Sequence, residues 1–255
     1  MRNSLILLSL VFSTLATLPA FHDKDENDDG KIDVDTILKA LGTPQCMRKC
    51  IDPFIESTAA LWDMKGVVNN TRKVCSSHSK ALECLKRDSY CDVYKIFKTA
   101  SASVESMCTK KYTMFEKFEK CLEPVADKVL QECDSQCYSK ANLTAFSKDS
   151  NIQFAATVGG NIFIVSDHLG DICGSLACTL PCVTKKLNEK CSFSGWLTLD
   201  VLLKPLETGT STLELLSEPI RDLMKQKLDK RCRFALDTLA LNRIRNGDFT
   251  AFDSD

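Results

Sequence analysis

Apolar residues recur every four positions along several stretches of the 255-residue chain. Val125, Val129, Cys133 and Cys137 form one such row, and Ile220, Met224, Leu228 and Cys232 another. Residues four apart share one face of a helix, so both rows predict helices whose buried stripe runs on into cysteine. Three triplets, Asp52-Pro53-Phe54, Glu123-Pro124-Val125 and Glu218-Pro219-Ile220, predict helix starts. Proline is tolerated in a first turn, and an acid there meets the unpaired amides. Only residues 162–165 (Ile162, Phe163, Ile164, Val165) read as a short strand. The expected fold class is mainly α with little or no β: a disulfide-stapled helical domain, either one unit or two apposed helical blocks.

The same pattern divides the chain. Residues 1–20 carry one charge, Arg2, then the apolar run from Leu5 to Phe12, then small residues, which is the three-part pattern of a secretory signal peptide. Cleavage after Ala20 is preferred to cleavage after Ala16. Residues 21–42 form an acidic lead, residues 43–137 a first cysteine-rich helical block, and residues 138–172 a cysteine-free connector. Residues 173–245 form a second cysteine-rich helical block, and residues 246–255 a polar tail. The connector holds no proline and contains Phe146, Phe154 and Ile162, so it is expected to pack rather than swing. No segment after the signal has the roughly 20 apolar residues of a membrane span.

All fourteen cysteines follow the signal: Cys46, Cys50, Cys75, Cys84, Cys91, Cys108, Cys121, Cys133, Cys137, Cys173, Cys178, Cys182, Cys191 and Cys232. An even count on an export route reads as up to seven disulfides. A zinc set would need converging Cys or His ligands, and the three histidines (His22, His78, His168) stand near no CxxC. The spacing Cys-x3-Cys occurs at Cys46/Cys50, Cys133/Cys137 and Cys178/Cys182. Two thiols four apart on a helix face a neighbour rather than each other, so such pairs are expected to join helix to helix, sometimes as double staples. The full connectivity stays open, because fourteen cysteines allow on the order of 10⁵ pairings.

Charge excludes some partners. Loss of Arg2 leaves 32 basic against 34 acidic residues, and residues 23–35 hold seven of the acids against Lys24 and Lys31. No concentrated basic face marks a nucleic-acid binder. The acidic lead contains Asp25, Asn27, Asp29, Gly30, Lys31 and Asp33 at positions 1, 3, 5, 6, 7 and 9 of an EF-hand-like calcium loop, position 7 contributing a backbone carbonyl. Position 12 is Thr36 instead of the bidentate glutamate, Asp35 stands one place early, and the preceding helix is missing. Calcium is therefore the one cofactor with a candidate site, and a weak one.

Two sequons, Asn69-Asn70-Thr71 and Asn142-Leu143-Thr144, are candidate N-glycosylation sites between helices. No GxSxG, HExxH or glycine-rich phosphate loop occurs, and no catalytic residue is assigned. The Asp167-His168 pair reads as structural. Trp62, Trp196, Phe193 and Leu197 read as core.

The cysteine order carries a resemblance. Cys46-Met-Arg-Lys-Cys50-Ile-Asp-Pro53, the series Cys75, Cys84, Cys91, Cys108, Cys121, the pair Cys133 and Cys137, and Cys173-x4-Cys178-x3-Cys182 begin the pattern. Lys186-Leu187-Asn188-x2-Cys191 and Leu202-Leu203-Lys204-Pro205 complete it. Over roughly residues 46–205 this resembles the nematode chondroitin proteoglycan 4 type domain. The resemblance implies a secreted protein of extracellular matrix or eggshell, a scaffold rather than a chemistry. Chondroitin is attached at serine in Ser-Gly sites. This chain has a single Ser-Gly, Ser194-Gly195, in a segment expected to be packed, so Ser194 is a poor acceptor. Three functions follow: a non-enzymatic structural or interaction protein with an extracellular protein or matrix partner, a carrier of a small apolar ligand or lipid, and a calcium-dependent adhesion module.

Overall fold

The computed structural model describes residues 32–62, 67–92, 96–213 and 218–253. Among these residues there are fourteen α-helices, three short 3-10 helices and no strand. The expected signal peptide and most of the EF-hand-like segment, Asp25 to Lys31, lie outside them.

Pro53 does not start a helix. It lies inside α2 (Gln45–Trp62), which begins eight residues earlier. A proline inside a helix costs about 3 kcal/mol. Here Met47, Cys50, Ile51 and Phe54 are all buried on one face, and burial of that face outweighs the lost hydrogen bond. Glu123 and Pro124 lie in the turn between α6 (Tyr112–Leu122) and α7 (Ala126–Cys137). Pro219 falls in the first turn of α13 (Glu218–Lys227), as its triplet predicted.

The row Val129, Cys133, Cys137 is the buried stripe of α7. The second row breaks: α13 stops at Lys227, Asp229 accepts the Arg231 amide at 2.9 Å, and Cys232 sits on a separate 3-10 turn (Lys230–Leu236). Cys232 is nevertheless completely buried.

Residues 162–165 form the start of a helix, α10 (Ile162–Asp167), not a strand. The Asn161 side chain accepts the amides of Phe163 and Ile164 and so caps the turn, while Val165 is driven into the core. The cap and this burial override the β preference of branched residues. Just before it, the φ of Gly160 is +103° and its Cα rests on the backbone of Gly42, so no side chain fits. The Asn161 amide completes this junction by donating to the Ala40 carbonyl at 3.0 Å, clamping α1 (Val34–Ala40) to the connector.

Three apolar clusters form the interior. The largest gathers α1, the connector helices α8 (Ser139–Lys148), α9 (Ser150–Thr157) and α10, the long helices α11 (Gly170–Lys190) and α12 (Ser194–Leu213), and α14 (Thr238–Arg245), around Leu143, Ile152, Leu169 and Phe234. Ala251 and Phe252 join it, so residues 246–253 are packed and not merely a polar tail. The second cluster lies between α2, α3 (Val67–Arg87), α4 (Ile96–Ala100) and α5 (Ala102–Thr109) around Phe97. The third joins α6, α7 and α11 around Cys133. A partly buried ionic chain ties the two halves: Lys111 to Asp200 at 3.1 Å, Asp200 to Arg245 at 3.3 Å, and Arg245 to Glu207.

Candidate functional site

All fourteen cysteines are paired. Cys46–Cys91, Cys50–Cys84 and Cys75–Cys108 staple the second cluster. Cys173–Cys232 holds α11 to the 3-10 turn. Cys121–Cys191, Cys133–Cys182 and Cys137–Cys178 cross between the two cysteine-rich blocks. Each Cys-x3-Cys pair bonds outward: Cys46 and Cys50 toward α3 and the turn after it, and Cys133 and Cys137 to Cys182 and Cys178 as a double staple. The pairing 133 to 182 and 137 to 178 also fixes α7 antiparallel to α11.

The sequence-level candidates scatter. Asp25, Asn27, Asp29 and Lys31 lie outside the described residues. Asp33 caps α1, accepting the Thr36 amide at 3.0 Å and the Thr36 hydroxyl at 2.6 Å. Asp35 pairs with Lys39 at 2.6 Å and Arg48 at 2.7 Å, and the hydrogen bond from Lys39, then that from Arg48, holds its carboxyl below the usual range. Both sequons lie within helices, not between them: Asn69 in α3 and Asn142 in α8. The Asn142 amide donates to Ser175 Oγ on α11 at 2.6 Å, and Thr144 is buried. Ser194 is fully buried, its hydroxyl donating to the Cys191 carbonyl at 2.7 Å. His168 Nδ1 lies 3.7 Å from Asp149.

Of the residues read as core, Leu197 is buried. Phe193 is 74% exposed, with a φ of +68°, and Trp196 is 41% exposed with its ring against Gly247. The helix start at Ser194 is set by Asn188, which accepts the amides of Gly195 and Trp196, and this turns both rings outward. The side chain of Trp62 is outside the described residues.

His78, on α3, is buried between the rings of Phe54 and Phe97, at centroid distances of 5.4 and 5.6 Å. Its Nε2 is 2.8 Å from Ser101 Oγ, whose own proton goes to the Phe97 carbonyl at 2.7 Å. Nε2 therefore donates. Burial pushes the His78 pKa below its ordinary value, with Glu105 opposing. The folded pKa is thus below the unfolded one, so the unfolded chain takes up the proton first and stability falls as pH drops below about 6.5. The depressed carboxylates Asp35, Glu132, Asp229 and Asp248 act only at lower pH. Thermal unfolding between pH 7.5 and 5 should therefore show a falling midpoint, and a His78→Gln variant a flatter profile. Equal slopes would refute the assignment.

Where the three apolar clusters meet there is a cavity of about 190 Å³. Val34 and Leu202 line it from the first cluster, Phe54 and Val104 from the second, Leu122 and Leu187 from the third. Its mouth lies between α3 and α6, where Arg72 is 3.9 Å from Glu116 and beside Tyr112 and Glu119. These partners, Tyr112 first, raise the Arg72 pKa further. Ser103 lines the wall and is 2% exposed, and its hydroxyl, closed to water, has no hydrogen-bond partner among the described residues. An unpaired buried hydroxyl costs about 1–3 kcal/mol. No motif announces this site, because its residues come from nine helices and each alone reads as an ordinary core or surface position.

Comparison with known proteins agrees with the cysteine order. The family model of chondroitin proteoglycan 4 matches residues 35–217. Two curated relatives, each named chondroitin proteoglycan 4, come from Caenorhabditis elegans and Caenorhabditis briggsae. They are 20% and 23% identical over 256 aligned positions, which take in 79% of this chain. The alignments cover 32% and 37% of the relatives, so the chain spans about a third of the length of the proteins it matches. No solved structure matches it. With the family model covering well over half of its length, the chain belongs to the chondroitin proteoglycan 4 family.

Proposed function

We propose that the chain is a secreted, non-enzymatic extracellular module, a rigid helical scaffold for a structural or interaction role in secreted fluid or matrix. The observation that carries this reading is the commitment of all fourteen cysteines to seven disulfides, a state that persists in oxidising compartments and is rare in reducing ones. With no free thiol there is no cysteine nucleophile, and the described histidines are engaged, His78 in a buried aromatic cluster and His168 beside Asp149. The relatives are named as proteoglycans, but the single Ser-Gly of this chain is buried, which supports a scaffold that carries no chondroitin at Ser194.

Expression of the full chain in secreting eukaryotic cells tests this. The protein should be recovered from the medium with Phe21 as its first residue. Alkylation should add no groups before reduction and fourteen after it, and chondroitinase should leave the mass unchanged. Retention inside the cell, alkylation without reduction, or a mass shift with chondroitinase would each defeat the corresponding part of the reading.

A further inference from the structure

We propose that the cavity at the junction of the three clusters binds a small neutral amphiphile: a hydrocarbon of about eight non-hydrogen atoms carrying one hydroxyl or carbonyl group that pairs with Ser103. The size follows from the volume. An apolar cavity of about 150 Å³ stays dry and takes benzene, so about 190 Å³ accepts one or two atoms more. A long acyl chain does not fit wholly inside that volume. Neutrality follows from where the charges are. Arg72, Glu116 and Glu119 stand at the mouth, where Arg72 is already matched by Glu116 and Tyr112, and the apolar wall offers a buried ion no partner. The single polar group follows from Ser103. Ser103 lines the cavity, and its hydroxyl, closed to water, has no partner among the described residues, so an oxygen pressed into the wall there would satisfy it.

The site does not depend on the scaffold reading, because a stapled helical module folds with or without an occupant. It also has a structural origin. Three separately stapled clusters converge here, and each is held in place by its own disulfides, so the gap between them is not free to collapse.

The test uses the full secreted chain, titrated with 4-methylphenol, toluene and 4-methylbenzoate while amide resonances are followed by NMR. Both neutral compounds should saturate and shift the amides of Ser103, Val104 and Leu122, and 4-methylbenzoate should bind at least about tenfold more weakly than 4-methylphenol. Ser103→Ala should weaken 4-methylphenol about fivefold and leave toluene unchanged, as expected for the loss of one hydrogen bond. Ala126→Phe, which puts a ring into the cavity from its wall, should abolish both. Retention of all seven disulfides checks the fold of each variant. The proposal is overturned if neither neutral compound saturates the parent protein, if the shifts lie elsewhere, if 4-methylbenzoate binds as well as 4-methylphenol, or if Ser103→Ala weakens both compounds equally. Should Ala126→Phe not be secreted, the parent titration and Ser103→Ala decide alone.

Discussion

Removing either disulfide between α7 and α11 should cost about 2.5–3 kcal/mol of unfolding free energy, whereas removing both should cost about 6–7, more than the sum of the parts. The reason lies in the loops the bonds close. Cys133–Cys182 and Cys137–Cys178 span 49 and 41 residues, each worth about 4 kcal/mol if it acted alone. They are neighbours on the same two helices, however, so either one already closes the long loop. The second then closes only a small ring of roughly ten residues, and its separate contribution is correspondingly smaller. Denaturant unfolding of Cys133→Ala/Cys182→Ala, Cys137→Ala/Cys178→Ala and the fourfold variant measures this directly. Strict additivity of the two losses would show that the bonds act through local packing rather than through chain closure.

Replacing Gly195 by alanine should destabilise the protein by about 2–4 kcal/mol, although alanine is the better helix former by about 1 kcal/mol. Gly195 opens α12 where it crosses α11, and a Cβ there would fall inside contact distance of the Thr184 carbonyl and the Asn188 side chain. Asn188 is fixed in place because it caps α12 through the Gly195 amide, at 3.0 Å. Gly174, inside α11, supplies the control. A Cβ there meets only the Arg231 side chain at ordinary van der Waals distance, so Gly174→Ala should stabilise by about 0.5–1 kcal/mol. Opposite signs for two Gly→Ala changes in neighbouring helices, read from denaturation midpoints at equal slope, are the expected result. A neutral or stabilising Gly195→Ala would mean that the helices separate more easily than their packing implies.

The Ser194-Gly195 dipeptide therefore has a packing role that composition does not reveal. As a short sequence it matches a glycosaminoglycan acceptor; in the fold it is the close approach of two helices, with the serine hydroxyl turned back on the preceding one. Helical spacing made the direction of the Cys-x3-Cys pairs legible, because four-residue periodicity is a local property. It did not reveal partners, which depend on how distant helices meet. Pro53 misled for a related reason: the local cost of a proline is visible in sequence, whereas the burial of Met47, Cys50 and Phe54 that offsets it is not. Residues 162–165 misled because Asn161 determines their conformation from outside the apolar run. The cavity was illegible for the strongest version of this reason. It is a gap between three cores, and a gap has no residues of its own.

The three bonds that cross between the cysteine-rich blocks have a consequence for how the molecule responds to a protease. Residues 138–172 are flanked by Cys121, Cys133 and Cys137 on one side and Cys178, Cys182 and Cys191 on the other, each joined to a counterpart. A protease that cuts this segment severs the chain without separating the pieces. The nicked molecule keeps its covalent continuity and its helix-to-helix register, and it comes apart into two fragments only when a reductant is supplied.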